Sequence, residues 1–129
     1  VRKVPVIILT GLILTATAAF AESGTASYYT VKSCQREGTS GIFTATGERY
    51  DETRLTCARP SRSDFGKTFM VYSYTTGKTV FVRCTDLGPS KRLVRAGRVI
   101  DLSPRAFKSL GVPLSEGLLK VEVQEVLEK

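Results

Sequence analysis

The sequence predicts a small all-β domain, a closed barrel of six or seven short strands with one short helix. Three observations point there. Short β-rich runs recur between turn residues at the spacing of small barrels. One pair of these runs carries a clear hairpin signal. A helix start with both of its punctuating residues stands out at one place in the chain.

Gly24 to Tyr29 reads as a short strand. Lys32 to Gly41 is polar, with Cys34, Gly38 and Gly41, and reads as a loop. Phe43 to Tyr50 reads as strand-like pieces around a turn at Gly47, and Asp51 to Arg54 as a turn. Leu55 to Ala58 is a short strand, followed by a loop over Arg59 to Gly66. Lys67 to Tyr74 and Thr79 to Thr85 are β-rich runs joined by Thr75 to Lys78, a hairpin. Within it Val80-Phe81-Val82 is apolar at consecutive positions, which predicts burial on both faces. Leu87 to Gly97 reads as a basic loop, and Val99-Ile100 as a strand. Ser103-Pro104 opens a helix, with Ser as N-cap and Pro at the first helical position. Ala106, Phe107 and Leu110 share its apolar face, and Gly111 ends it. Leu119, Val121 and Val123 alternate with Lys120, Glu122 and Gln124, a last half-buried strand.

Composition narrows the chemistry. The chain has 129 residues and no His, which excludes Ser–His–Asp and Cys–His triads and His-ligated metals. There is no Trp, so any stacking surface must use the 5 Tyr and 6 Phe. Arg2 and Lys3 precede the mostly apolar Val4 to Ala19, and Ala19-Phe20-Ala21 is an A-x-A-like cleavage site. Residues 1–21 therefore read as a secretory signal and residues 22–129 as the working domain, periplasmic or secreted. No Cys follows the apolar run to take a lipid, so no stable membrane anchor is expected after cleavage. The 108 residues that remain carry a net charge of +5.

A set of stretches, in order, carries a resemblance: Ala26-Ser27-Tyr28-Tyr29; Thr44-Ala45-Thr46-Gly47-Glu48-Arg49-Tyr50-Asp51; Leu55-Thr56-Cys57-Ala58; Phe65-Gly66; Gly77-Lys78; Val82-Arg83-Cys84-Thr85-Asp86-Leu87-Gly88-Pro89; Gly97-Arg98-Val99-Ile100-Asp101-Leu102-Ser103; Ala106-Phe107; and Gly117 to Val123. Together they resemble the rare lipoprotein A family of lytic transglycosylases, with a more distant likeness to expansins. The resemblance implies a six-stranded double-psi β-barrel with one or two short helices and a groove across one face. It implies a carbon–oxygen lyase acting on peptidoglycan glycan strands, cutting the MurNAc–GlcNAc bond without water and leaving a 1,6-anhydro end. Where active members carry His after the alanine of the Leu-Thr-x-Ala piece, this chain has Arg59. The alternative it raises is a non-catalytic, expansin-like module that binds or loosens cell-wall glycan.

Glycosidic cleavage needs a carboxyl group that delivers a proton to the leaving oxygen. Ordinary glycosidases use two, whereas an intramolecular lytic reaction can run on one. The catalytic candidates are Asp101, Asp86, Asp51 and Glu48. Asp101 lies between Ile100 and Leu102, and by resemblance matches the essential Asp of expansin-like barrels; it reads equally as a cap of the following helix. Asp86 ends an apolar strand, where it either lines a groove or caps the Asp-Leu-Gly-Pro turn. Glu48 and Asp51 match the family's acidic pair, or simply build the turn at Gly47. Arg59 stays protonated, so it binds or stabilises charge, or pairs with Asp51 and silences it.

Candidate substrate-binding residues are Tyr28, Tyr29, Thr44, Tyr50, Arg59 and Arg98. Arg83, Lys91, Arg92, Arg95, Arg98, Arg105 and Lys108 form a basic set suited to a wall rich in carboxylates; nucleic acid is not expected as a partner of an exported protein. The three Cys allow three pairings, and Cys34–Cys57 is the expected disulfide, stapling the edge of the region that holds Glu48 and Asp51. No metal and no cofactor are expected.

Overall fold

The computed structural model describes residues 21–36 and 42–127. The secretory reading of residues 1–21 thus lies outside the described residues except for Ala21, and so does the part of the first predicted loop over 37–41. Six strands close into a barrel: β1 (Ala21–Tyr28), β2 (Thr56–Arg59), β3 (Thr68–Ser73), β4 (Thr79–Leu87), β5 (Arg98–Leu102) and β6 (Leu119–Val126). Around the barrel they run β1-β5-β2-β4-β3-β6, and β6 pairs with β1 to close it. Two pairs are parallel, β1 with β5 and β2 with β4; the others are antiparallel. This is the six-stranded barrel that the resemblance implied. Among the described residues three short α-helices accompany it, one more than the upper expectation: α1 (Val31–Arg36), α2 (Lys91–Arg95) and α3 (Pro104–Ser109).

The hairpin lies where the turn residues put it, with β3 and β4 paired antiparallel from Thr68↔Arg83 to Tyr72↔Thr79. The expectation for Val80-Phe81-Val82 fails. Val80 and Val82 are buried, but Phe81 is 54% exposed. A closed barrel offers one apolar interior, and none of the described residues covers the outward face at Phe81, so the strand alternates. β6 obeys the same rule, with Leu119, Val121 and Val123 all inside.

α3 forms as its sequence signals. Ser103 Oγ accepts from the Ala106 N–H at 3.1 Å and donates to the Arg54 carbonyl at 2.6 Å. Ala106, Phe107 and Leu110 are fully buried. Burying Phe107 alone contributes about 2–3 kcal/mol. The other two helices replace predicted loops. In α1, Thr30 Oγ1 accepts from Ser33 N–H while Ser33 Oγ accepts from Thr30 N–H, both at 2.9 Å, a reciprocal capping box with Ser in place of the usual acid. In α2, Ser90 Oγ accepts from Leu93 N–H. Both helices are single turns and bury no residue completely, so no apolar periodicity announced them.

One close approach shapes the β1–β5 seam. A Cβ on Gly24 would lie 2.5 Å from the Gly97 carbonyl oxygen and from Val99 Cγ1. The same carbonyl accepts from Thr25 N–H at 3.0 Å. Only a residue without a side chain lets β1 lie this close.

Candidate functional site

Three strands that are remote in sequence bring the two leading carboxylates together. Ala58 on β2 is in register with Asp101 on β5 and with Asp86 on β4. Side-by-side residues on neighbouring strands project from the same face, so Asp101 and Asp86 flank Ala58. Two strand spacings separate their backbones, about 10 Å. The floor between them is small by composition. Ala58 presents a methyl group, and Gly88, at φ +148°, comes so near that a Cβ there would lie 3.8 Å from both Ala58 Cβ and Asp101 Oδ2.

Asp86 is held by three donors. The Tyr29 hydroxyl donates to Oδ2 at 3.1 Å, and the N–H groups of Ala45 and Leu87 donate to Oδ1 at 3.0 Å. The turn-capping reading of Asp86 is thus correct as far as Leu87 goes, but Ala45 and Tyr29 come from elsewhere in the chain. Asp101 receives Arg98 Nη1 on Oδ1 at 3.1 Å. The N-cap of α3 is Ser103, whose side chain accepts from the Ala106 N–H.

Beside this ladder lies an open cleft of about 330 Å³, lined by Thr44, Glu48, Tyr50, Asp51, Thr56 and Arg83 among others. Four candidates thus share one depression. The segment 42–50 bends back at Gly47, with Phe43 bridged to Arg49 and Thr44 N–H bonded to the Glu48 carbonyl at 2.7 Å. It ties the cleft to the ladder through Ala45 and Asp86, and through Thr46 N–H and the Thr85 carbonyl.

Glu48 is bound by Arg83 Nη2 through both carboxylate oxygens, at 2.9 and 2.8 Å. The Arg83 guanidinium holds its carboxyl below the usual range. Asp51 is likewise lowered, by the hydroxyl and N–H of Thr53, which makes it the turn residue of the plainer reading. Both groups are therefore carboxylates near neutral pH, suited to stabilise positive charge rather than to act as acids.

The aromatic candidates separate. Tyr29 stacks on Tyr50 with ring centroids 4.5 Å apart and 6° between planes, and Tyr50 donates its hydroxyl to the Tyr29 carbonyl at 2.8 Å. Burial pushes both phenols well above their ordinary range, so both stay protonated donors. Tyr28 leans on Phe107 of α3, centroids 5.1 Å apart, and packs against the core instead of joining the cleft.

Arg59 goes elsewhere. Nη1 donates to the Val99 carbonyl at 2.6 Å, Nη2 to Glu22 at 2.9 Å and Nε to Asp64 at 3.3 Å, with the guanidinium 4.8 Å over the Phe69 ring. The expected partner Asp51 is not among these; Glu22 and Asp64 reach the guanidinium from β1 and from the turn after β2. The basic set also divides. Arg83 and Arg98 are engaged with Glu48 and Asp101, while Lys91, Arg92 and Arg95 stand exposed on α2, and Arg105 and Lys108 on α3.

The expected Cys34–Cys57 disulfide is not present. Cys57 points into the barrel, and its partner across the β2–β4 register is Cys84, whereas Cys34 lies on α1. Among the described residues no group of three or more His, Cys, Asp or Glu is placed to hold a metal ion. Sequence reading overlooked Ala58, Ala45 and the Arg83–Glu48 pair. Ala58 is placed by strand register, and the other two by the fold of segment 42–50 against β4, both of which appear only on folding.

The chain is similar to known proteins on two levels. A family model described as lytic transglycolase matches residues 21–123. Over 101 residues the chain is 38% identical to a probable endolytic peptidoglycan transglycosylase RlpA of a Nostoc species, covering 78% of this chain and 24% of that protein. It is 30% identical over 108 residues to the endolytic peptidoglycan transglycosylase RlpA of Rickettsia felis, covering 84% of this chain and 43% of that protein. The chain thus spans less than half the length of these relatives. By fold it is similar to an expansin of Clavibacter michiganensis (TM-score 0.62, 19% identity, 85% of this chain and 52% of that one). It is equally similar to the Streptomyces papain inhibitor (TM-score 0.62, 24% identity, 84% of this chain and 96% of that one). With a closed six-stranded barrel, a family match over 103 of its residues and these relatives, the chain belongs to the lytic transglycolase family and has the RlpA-like double-psi β-barrel fold.

Proposed function

We propose that the chain is an exported lytic transglycosylase that cuts the MurNAc–GlcNAc bond of peptidoglycan glycan and leaves a 1,6-anhydro end. The observation that supports it best is the register Asp86–Ala58–Asp101, two carboxylates over a floor small enough for a sugar ring to approach. In this reading the Asp101 carboxyl group delivers its proton to the O4 oxygen as the C1–O4 bond breaks. As a carboxylate it then takes the proton of the sugar 6-hydroxyl as O6 bonds to C1, which restores the acid, so no water is consumed. Asp86, fixed by its three donors, places negative charge where oxocarbenium character develops. The Glu48–Arg83 cleft extends the groove for a neighbouring sugar. Exposed basic residues on α2 and α3 attract the carboxylates of the wall.

The test is mass spectrometry of sacculi digested with the protein. Glycan ends in 1,6-anhydro form are expected, and Asp101→Asn removes them while the variant still sediments with sacculi. A digest free of anhydro ends rejects the lyase. One observation favours a second reading, a glycan-binding module without turnover: Arg59, at the family's His position, is committed to Glu22 and Asp64. That reading requires co-sedimentation of the wild type with no product.

A further inference from the structure

Two of the three cysteines meet inside the barrel, and neither the proposed reaction nor the expected pairing uses them together. Cys57 on β2 and Cys84 on β4 are register partners on adjacent parallel strands, and both are 0% exposed. Neighbouring strands lie about 4.8 Å apart. That separation falls within the range of about 4.4–6.8 Å between the Cα atoms of bridged cysteines. Both side chains belong to the one core cluster, so they point to the same side of the sheet.

We propose that Cys57 and Cys84 form a disulfide when the chain folds in an oxidising compartment, a covalent site that fastens β2 to β4 one residue below Ala58. The bond would hold the spacing of the carboxylate ladder, because Ala58 follows Cys57 directly and Asp86 lies two residues after Cys84. In the folded barrel the Cys84 thiol donates to the Asp86 carbonyl at 3.6 Å, so the pair lies directly beneath the carboxylate ladder.

The chemistry balances with an oxidant that is itself a disulfide, small-molecule or protein. The thiolate of one cysteine attacks one oxidant sulfur, the oxidant's S–S bond breaks, and one oxidant thiol leaves. The thiolate of the other cysteine then attacks the first cysteine's sulfur in the mixed disulfide and releases the second. Two electrons pass from the cysteine pair to the oxidant, and the two protons end on its thiols. Full burial of both sulfurs adds a kinetic condition. Exchange must happen before the barrel closes, and once closed the bond is shielded from reductant.

The experiment is oxidative refolding of the full chain. The reduced, unfolded protein is refolded in a mixture of oxidised and reduced glutathione, then unfolded, alkylated and mapped by peptide mass spectrometry. The expected result is a Cys57–Cys84 linked peptide lighter by two hydrogens, alkylation at Cys34, and a thermal midpoint several degrees above that of protein refolded in excess reductant. Alkylation of all three cysteines in a natively folded sample overturns the proposal, as does any linkage through Cys34. Cys34→Ser must keep the dependence of the melting point on redox state, and Cys57→Ser/Cys84→Ser must lose it; the reverse pattern also overturns it. No glycan enters the assay, so its result is independent of the transglycosylase reading.

Discussion

Replacing Tyr29 with Phe removes one oxygen and leaves its ring in place over Tyr50. The structure allows the cost to be worked out. The lost contact is a 3.1 Å hydrogen bond from a largely buried phenol to the Asp86 carboxylate, while two backbone N–H donors remain on the other oxygen. A hydrogen bond to a charged partner contributes about 1.5–3 kcal/mol. Because Asp86 keeps two donors, the lower half of that range is expected, about 1.5–2 kcal/mol. For a domain of this size that lowers the thermal midpoint by about 5–12 °C. Asp86→Asn keeps a carbonyl oxygen for Tyr29 but turns an amide toward N–H donors, and is expected to cost about 2–3 kcal/mol. The assay is a double-mutant cycle by urea unfolding, followed by far-ultraviolet circular dichroism. A coupling energy of about 1 kcal/mol or more is expected between the two positions. Additivity within about 0.3 kcal/mol would show that the phenol does not hold the carboxylate, and would refute the account of how Asp86 is oriented. On sacculi, Tyr29→Phe should lower anhydro-product yield without loosening sedimentation.

Three further outcomes follow from particular contacts. Glu48 has a folded-state pKa below its unfolded one, so its contribution is present above the unfolded value near 4.3 and is lost as pH falls through the folded value. Carboxyl carbon NMR should show that titration move up toward the ordinary value in Arg83→Gln. Gly24→Ala forces a methyl group against the Gly97 carbonyl and should destabilise by about 1–3 kcal/mol, read by denaturant unfolding, with amide exchange accelerating first along the β1–β5 seam. Arg59→Ala should cost about 2–3 kcal/mol, because the Val99 carbonyl and the mostly buried Asp64 both lose a donor. Glu22→Ala should cost under about 0.5 kcal/mol, because Glu22 is half exposed, and equal losses in the two variants would contradict the assignment of this ion-pair network.

The elements that were legible in the sequence are those whose cause is local. Ser103-Pro104 marks a helix because a hydroxyl and a fixed φ act within one turn. Leu119-Val121-Val123 marks a strand because one face of it is dry. The hairpin at Thr75–Lys78 needs only its own turn. The single-turn helices α1 and α2 escaped because each is set by capping hydroxyls, Thr30 with Ser33 and Ser90, and buries too little to leave a pattern. Phe81 misled because three apolar letters in a row do not say how many faces of a strand are covered.

At the site the division is sharper. The acidic candidates were nameable from the chain itself, since a proton-transferring site in a chain without His has few other groups to work with. Which of them stand together was decided by parallel pairing of β2 with β4 and antiparallel pairing of β2 with β5. Those pairings place residues 58, 86 and 101 side by side. The same register moved Cys57 from Cys34 to Cys84, and the packing of β1 and the turn at Asp64 moved Arg59 from Asp51 to Glu22 and Asp64. Residue type is a property of the chain; neighbourhood across strands is a property of closure, because it depends on which edges meet when six short strands bury one interior.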